Sequence, residues 1–294
     1  MAEPNGRPIV VGVDGSDTST EAARWAAGEG RLRGRPVRVV CVYAWPVPPV
    51  PFAPPPSNWT EVSLRAGADA VVADAVAAVR QAAPEVGVSG VALSGLAAQK
   101  LIEVSAGAGM VVVGHRGYGG FAALRLGSVA ARVAAHAHCP VVVVRPGAGE
   151  RVVQPPVVLV GVDGSPASDA AVGFAFEEVD RRGGAVRALH SWEPPASPWR
   201  SEMRPSLPDF AEVTAGEARR VAQWIQPWDD NHPRVAVAQS VTSDRPAAAL
   251  IEAAKDATLL VVGSRGHGGF TGLLLGSVSQ QVIHHAPCPV AVIR

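Results

Sequence analysis

The chain carries an internal repeat that spans most of its 294 residues. The segment IVVGVDGS near the start recurs as VLVGVDGS near the middle, and GHRGYGGFAALRLGSV from Gly114 recurs as GSRGHGGFTGLLLGSV from Gly263. Matching residues of these segments, such as Asp14 and Asp163, are 149 positions apart. Because the spacing is the same at both ends of the repeat, it predicts a duplicated domain.

The repeat predicts two domains, residues 1–148 and 154–294, each of an ordinary domain size. At the junction, residues 147–156, glycine, proline and charged residues replace the apolar pattern. Such a short linker favours packing of the domains as a pseudo-symmetric pair. Trp45 and Trp192 match only at a spacing of 147, which predicts an insertion and a compensating deletion in the intervening loops.

Within each copy, short apolar runs alternate with longer alanine-rich segments whose apolar residues have helical spacing. The runs, PIVVGV, PVRVVCVY, VSGVAL, MVVVG and PVVVV in the first copy, lack alternation, which is typical of parallel strands buried on both faces. We therefore predict an α/β fold with two tandem doubly wound domains, each a five-stranded mainly parallel sheet flanked by helices. Residues 46–58 hold seven prolines and predict a loop, either a stiff connector or pocket lid or a proline-rich ligand for a partner.

Charge and apolar patterning argue against binding to nucleic acid or membranes. The 26 basic residues balance 26 acidic ones, so there is no long-range positive field for a polyanion. No apolar run reaches about 18 residues, and the start lacks the pattern of a signal peptide, so we expect a cytoplasmic protein. Cys139 and Cys288 lie in matching Cys-Pro-Val contexts, which favours buried free cysteines over a disulfide.

An aspartate follows the first predicted strand of each copy. Gly12 and Asp14 have Gly161 and Asp163 as counterparts, each pair at a turn before a predicted helix. In an open α/β sheet the ligand lies beyond the carboxyl ends of the strands. The aspartate could accept hydrogen bonds from a ribose or an adenine edge or help to hold a metal, and it could equally cap the next helix.

A glycine motif follows the fourth predicted strand, with the pattern Gly, two residues, Gly, nine residues, Gly-Ser. Glycines let the backbone approach a ligand closely, and amides at a helix N-terminus bind anions, so the motif predicts a polyphosphate site. Arg116 and Arg265 lie inside the motifs, either to neutralise the outer phosphates or as solvated surface residues. The motif residues are Gly114, Gly117, Gly127, Ser128 and Val129 in the first copy, and Gly263, Gly266, Gly276, Ser277 and Val278 in the second.

The VGVDGS segments, the paired glycine motifs and the closing CPVVVVR and CPVAVIR make the chain resemble a tandem universal stress protein of the ATP-binding branch. The resemblance covers nearly the whole chain and implies the adenine nucleotide alpha hydrolase-like fold. It also implies that Asp14 and Asp163 contact the nucleoside, that the glycine motifs wrap the phosphates, and that Ala44 and Ser191 contact adenine through their backbone. One departure is the connection before the third helix, VTSDRPAAALIE in the second copy and a shorter SGLAAQKLIE in the first.

The resemblance further implies pairing through the last strand, residues 141–145 and 290–294, and a homodimer in addition to the pairing of domains within the chain. The implied ligand is ATP, with Mg²⁺, at up to two sites per chain.

Motifs of several enzyme classes are absent from the sequence. Neither GxxxxGK[ST] nor GxGxxG occurs in the glycine motifs or the strand-end turns, and no Ser, His and acid set repeats in register. The histidines and cysteine at 136–139 fit no standard zinc spacing. The sequence favours a nucleotide-binding regulator of stress response or growth adaptation, acting on an unknown protein partner. The alternatives are a slow Mg²⁺-dependent ATP hydrolase or nucleotidyl-transferring enzyme and a scaffold with empty pockets.

Overall fold

The computed structural model describes residues 6–44, 60–118, 126–147, 153–192, 210–267 and 274–294. The chain divides into two compact units between residues 151 and 152. The proline-rich segment at 46–58 lies outside the described residues, so the prediction of a loop there stays a prediction. Among the described helices, none has both the length and the hydropathy that a membrane span requires.

The first unit alternates strands and helices from end to end. Its elements are β1 (Ile9–Val13), α1 (Asp17–Arg33), β2 (Val37–Tyr43), α2 (Glu61–Ala82), β3 (Val88–Ser94), α3 (Ala97–Ser105), β4 (Met110–Gly114), α4 (Ser128–His136) and β5 (Val141–Val144). The strands lie in the order β3-β2-β1-β4-β5, and every pairing is parallel. The order reverses between β1 and β4, so the carboxyl ends of these two strands form the crevice where α/β proteins bind ligands.

The second unit repeats this architecture. Its elements are β6 (Val157–Gly161), α5 (Pro166–Arg182), β7 (Ala185–Ser191), α6 (Phe210–Asn231), β8 (Ala236–Thr242), α7 (Pro246–Ala253), a 3₁₀ turn (Ala254–Asp256), β9 (Leu259–Gly263), α8 (Ser277–His285) and β10 (Val290–Ile293). The strands lie in the order β8-β7-β6-β9-β10, again all parallel, with the reversal between β6 and β9. Two doubly wound α/β domains are therefore confirmed.

The sequence explains why the central strands and first helices form. Strands β4 and β9 are runs of Val, Leu and Met whose residues are buried up to the final glycine, because helices cover both faces of a parallel sheet. Helices α1 and α5 begin after Ser16 and Ser165, and each serine side chain accepts a hydrogen bond from the backbone N–H three residues on. Such a cap stabilises a helix by about 1 kcal/mol.

Strand pairing shows that one spacing of 149 relates the two units throughout their described elements. Gly12 pairs with Val40, and Gly161 pairs with Leu189, so positions on β2 and β7 correspond at 149. Helices α2 and α6 begin at residues 61 and 210, which also differ by 149. The insertion and deletion predicted from the two tryptophans is therefore absent from these elements. The residue equivalent to Trp192 is Tyr43, and Trp45 lies outside the described residues.

The prediction that the cysteines are buried is confirmed. All three, Cys41, Cys139 and Cys288, are buried thiols outside any disulfide. Burial raises the pKa of the Cys41 thiol to about 11, helped by the negative charges of Asp14 and Asp69. Burial also raises the pKa of Cys139 to about 11. Both thiols are thus protonated at neutral pH.

Because the thiolate is the reactive form, we expect the folded protein to react very slowly with a disulfide reagent such as DTNB near pH 8. After unfolding in guanidinium chloride, all three thiols should react rapidly. The release of the reagent's chromophore measures both rates. A thiol that reacts in the folded protein as fast as in the unfolded chain would contradict the burial of its side chain.

Candidate functional site

Each unit has one cavity at its strand-order reversal. The cavity of the first unit measures about 250 Å³ and that of the second about 580 Å³. Except for Ala44, every residue predicted for the sites lines the cavity of its own unit. These residues are Gly12, Asp14, Gly114, Arg116, Gly117, Gly127, Ser128 and Val129 in the first, and Gly161, Asp163, Ser191, Gly263, Arg265, Gly266, Gly276, Ser277 and Val278 in the second.

The two aspartates hold the glycine motif against the end of the first strand. Asp14 Oδ1 accepts hydrogen bonds from the backbone N–H of Ser16 (3.1 Å) and from its hydroxyl (2.6 Å), while Oδ2 accepts one from the N–H of Tyr118 (2.8 Å). Asp163 Oδ2 likewise accepts from the N–H of His267 at 3.2 Å. Neither aspartate is the N-cap of the next helix, since serines occupy that position. Each carboxylate instead joins the two loops that form its cavity.

This contact explains the second glycine of the motif. A Cβ atom at Gly117 would overlap Oδ2 of Asp14, and one at Gly266 would overlap Oδ2 of Asp163. Only a residue without a side chain lets the carboxylate reach the next backbone amide. The glycines at 117 and 266 therefore allow the aspartates to position the loop.

Helices α4 and α8 begin at the cavities with uncapped N-termini. Gly127 and Gly276 are the N-caps, and neither helix receives a side-chain cap bond. The first N–H groups of a helix have no acceptor within the helix, and the helix dipole makes this end positive. The first two helical residues line the cavities: Ser128 and Val129 in the first unit, Ser277 and Val278 in the second. Each cavity therefore has an anion-binding end made of main-chain amides.

At the other end of each cavity, the structure differs from the sequence-based alignment of the second strand. Ser191 lines the second cavity, and strand register makes its equivalent Val42, which lines the first cavity. Ala44 is exposed and lies two residues beyond Val42, outside the lining. By position, the equivalent of Ser191 in the first cavity is therefore Val42 and not Ala44.

A pair of buried serines, not predicted as site residues from the sequence, contacts the backbone of the aspartates. The Ser19 hydroxyl accepts a hydrogen bond from the N–H of Asp14 at 3.3 Å, and the Ser168 hydroxyl accepts one from Asp163 at 3.0 Å. Both serines line their cavities and lie 149 positions apart. That shared spacing was the one available indication of their role. They fix the backbone from which each aspartate projects.

His115 follows the first glycine of its motif and is buried in the first unit, where the second unit has Ser264. Its Nδ1 has no hydrogen-bond partner among the described residues. Burial, together with the positive charges of Arg145 and Arg116, lowers the pKa of His115 to about 4. The imidazole is therefore neutral at physiological pH.

Since the ordinary pKa of histidine is 6.5, the unfolded chain binds a proton between about pH 6.5 and pH 4 that the folded chain does not bind. We expect His115 to lower the free energy of unfolding as the pH falls through this window, with no effect above it. His115→Ser, which copies the second unit, should remove this part of the acid sensitivity. Urea unfolding of both proteins at a series of pH values measures the difference, and identical pH profiles would contradict the assignment.

The part of the chain that the structure describes has no group of three or more His, Cys, Asp or Glu side chains that could hold a metal ion. Among the described residues that line the cavities, Asp14 is the acidic residue of the first and Asp163 is that of the second.

Comparisons with known proteins agree with the tandem architecture. Residues 6–145 and 156–294 each match the universal stress protein family. Universal stress protein Rv2005c of Mycobacterium tuberculosis is 38% identical over 300 residues, covering 97% of this chain and 96% of the relative. Universal stress protein Rv1996 of the same species is 39% identical over 313 residues, covering 97% and 94%.

A solved structure supports the fold. The crystal structure of a universal stress protein from Archaeoglobus fulgidus covers 98% of this chain and 96% of its own, with a TM-score of 0.71 at 20% identity. With both halves of the sequence matched to one family and full-length relatives above 30% identity, the chain belongs to the universal stress protein family, as a tandem of two of its domains.

Proposed function

We propose that each unit binds ATP and that the protein is a regulatory nucleotide-binding module of stress response or growth adaptation. One observation carries the proposal: in both units a strand-end aspartate, a Gly-x₂-Gly turn and an uncapped helix N-terminus line a single cavity. Two independent copies of one donor set argue for a shared ligand. Family membership supports a role in stress physiology.

The anion-binding end suits a triphosphate. Main-chain amides at α4 and α8 offer donors to phosphate oxygens without a charged side chain. Arg116 and Arg265 line the same ends and add positive charge. The Nε of Arg116 is buried and has no hydrogen-bond partner among the described residues, so a phosphate oxygen would satisfy it.

The opposite end suits the nucleoside. The lining there comes from the ends of β2 and β7 and from the first two turns of α3 and α7, and it includes Val42, Leu101 and Leu250. Apolar walls of this kind accept a planar base.

Mg²⁺ would enter with the phosphates, because this ion usually binds through phosphate oxygens, water and one or two carboxylates. In each cavity the aspartate is the residue that could contribute the carboxylate.

Regulation is favoured over hydrolysis by the contacts of the aspartates. Both carboxylate oxygens of Asp14 accept hydrogen bonds from the loops themselves. These hydrogen bonds hold the two loops of the site in one conformation. A bound nucleotide would stabilise this conformation over other conformations of the loops, and the surface available to a protein partner would change with it. The homodimer, the pairing through residues 141–145 and 290–294, and the cytoplasmic location stay predictions from the sequence.

The proposal predicts two ATP molecules per chain at saturation. Gly117→Ala places a Cβ on the Asp14 carboxylate and should weaken the first cavity by at least about tenfold, leaving one site, and Gly266→Ala should do the same to the second. Equilibrium dialysis with radiolabelled ATP measures the number bound. The matched controls are Gly67→Ala and Gly216→Ala, at equivalent helical positions with no close neighbour, and they should bind two.

Failure of the unmodified chain to bind ATP would contradict the proposal. Unchanged stoichiometry in the Gly117→Ala variant would contradict a site in the first cavity. Chromatography of the bound nucleotide separates the two functions: intact ATP after hours of incubation supports the regulator, whereas ADP formed over many turnovers supports the hydrolase.

A further inference from the structure

The two cavities share a phosphate end but differ in size by more than twofold. The second, at about 580 Å³, lies within the usual range of small-molecule sites, roughly 300 to 1,000 Å³, whereas the first, at about 250 Å³, lies below it. The glycine motif and the strand-end aspartate line both, so the difference arises elsewhere. The additional lining of the second cavity includes Arg245, His267 and Gln281, whose equivalents do not line the first.

The connection before the third helix takes a different course in the two units. Strand pairing makes Leu93 equivalent to Thr242, and both helices begin 4 residues later, so the connections have equal lengths and the first is not shorter. In the first unit, the N–H of Gly95 donates to the carbonyl of Tyr43 at 2.9 Å, and Gly95 has a φ of 137° that disfavours other residues. This contact joins the connection to the last residue of β2.

In the second unit the equivalent of Gly95 is Asp244, and side chains hold the connection in another course. The N–H of Asp244 donates to Oγ1 of Thr242 at 3.3 Å, and the Thr242 hydroxyl donates to the Asp244 carboxylate at 2.8 Å. The Ser191 hydroxyl donates to the carbonyl of Asp244. These contacts fix the backbone directly before Arg245, which then lines the cavity.

Arg245 therefore has a position that the first unit does not reproduce. Both Arg245 and its equivalent, Leu96, are exposed, but Leu96 does not line the first cavity. Arg245 is the N-cap residue of α7, next to Pro246, and lines the same cavity as Ser191 at the end of β7. A guanidinium is planar and stacks on aromatic rings, which a lysine ammonium does not do in the same way.

We propose that the second cavity is the tighter of two unequal nucleotide sites and that Arg245 sets the difference by stacking on the base. This inference rests on the proposed ATP binding. A base held between the guanidinium and the apolar wall of the cavity loses contact with water on both faces, whereas the first cavity must widen before it admits the same ligand.

The test is isothermal titration of the full chain with ATP. The unmodified chain should give two binding steps that differ in affinity by about tenfold, a difference of the size that a desolvated cation–π contact supplies. Arg245→Leu should weaken the tight step by about tenfold and leave the weak step unchanged. Arg245→Lys should weaken it as well, since it keeps the charge but loses the planar group. Arg219→Leu removes an exposed arginine that lines neither cavity and should change nothing.

Inorganic tripolyphosphate separates a base contact from a phosphate contact. Its affinity, measured by competition with ATP, should be the same for the unmodified chain and for Arg245→Leu. Two equal binding steps, or full affinity in Arg245→Leu or Arg245→Lys, would overturn the inference while leaving ATP binding intact. Weakened tripolyphosphate binding in Arg245→Leu would overturn the assignment to the base. Absence of any ATP binding would instead overturn the proposed function. Circular dichroism of each variant without nucleotide confirms that it is folded.

Discussion

The hydrogen bond from the glycine loop to the strand-end aspartate is the interaction on which both cavities depend. Tyr118 and His267 each donate a backbone N–H to the carboxylate of Asp14 or Asp163, across more than 100 residues of sequence. The bond joins the loop after the first strand of the unit to the loop after the fourth. These strands are neighbours at the reversal of strand order, so joining their loops gives the crevice a fixed shape.

Other contacts reinforce the same junction. Thr18 donates its hydroxyl to the carbonyl of Arg116 at 2.5 Å, and Ser165 donates to the carbonyl of Arg265 at 3.4 Å. The contrast between the helices of one unit is informative: α1 and α5 are capped by serine side chains, whereas α4 and α8 have no side-chain cap. At α4 and α8 the amides beside the glycine motif remain available, which gives this end of each cavity its potential to bind an anion.

The two units have the same residue types at one end of the cavity and different ones at the other. The glycines of the motif and the aspartates recur at identical spacing, and a Cβ atom at the second glycine would break the loop contact. At the other end, Val42 stands where the second unit has Ser191, and Leu96 stands where it has Arg245. Surface connections tolerate such changes since they alter few buried contacts. The second unit thus has more polar groups in its lining and a larger cavity, with the same strand order.

The sequence by itself determined the duplication, the doubly wound fold, and the glycine motif and aspartate that line each cavity. Each of these follows from a position that few residue types can fill. Glycine is required where the carboxylate lies against the backbone, and aspartate where a side chain accepts hydrogen bonds from backbone N–H groups. Continuous apolar runs are required where a strand is buried on both faces. Tertiary structure decided the alignment of the second strand, the course of the connections at Gly95 and Asp244, and the entry of Arg245 into the cavity. Apolar strand residues are interchangeable in sequence, so their register is fixed only when backbone groups pair across the sheet. A loop of given length can likewise take several courses until its hydrogen bonds to neighbouring strands select one.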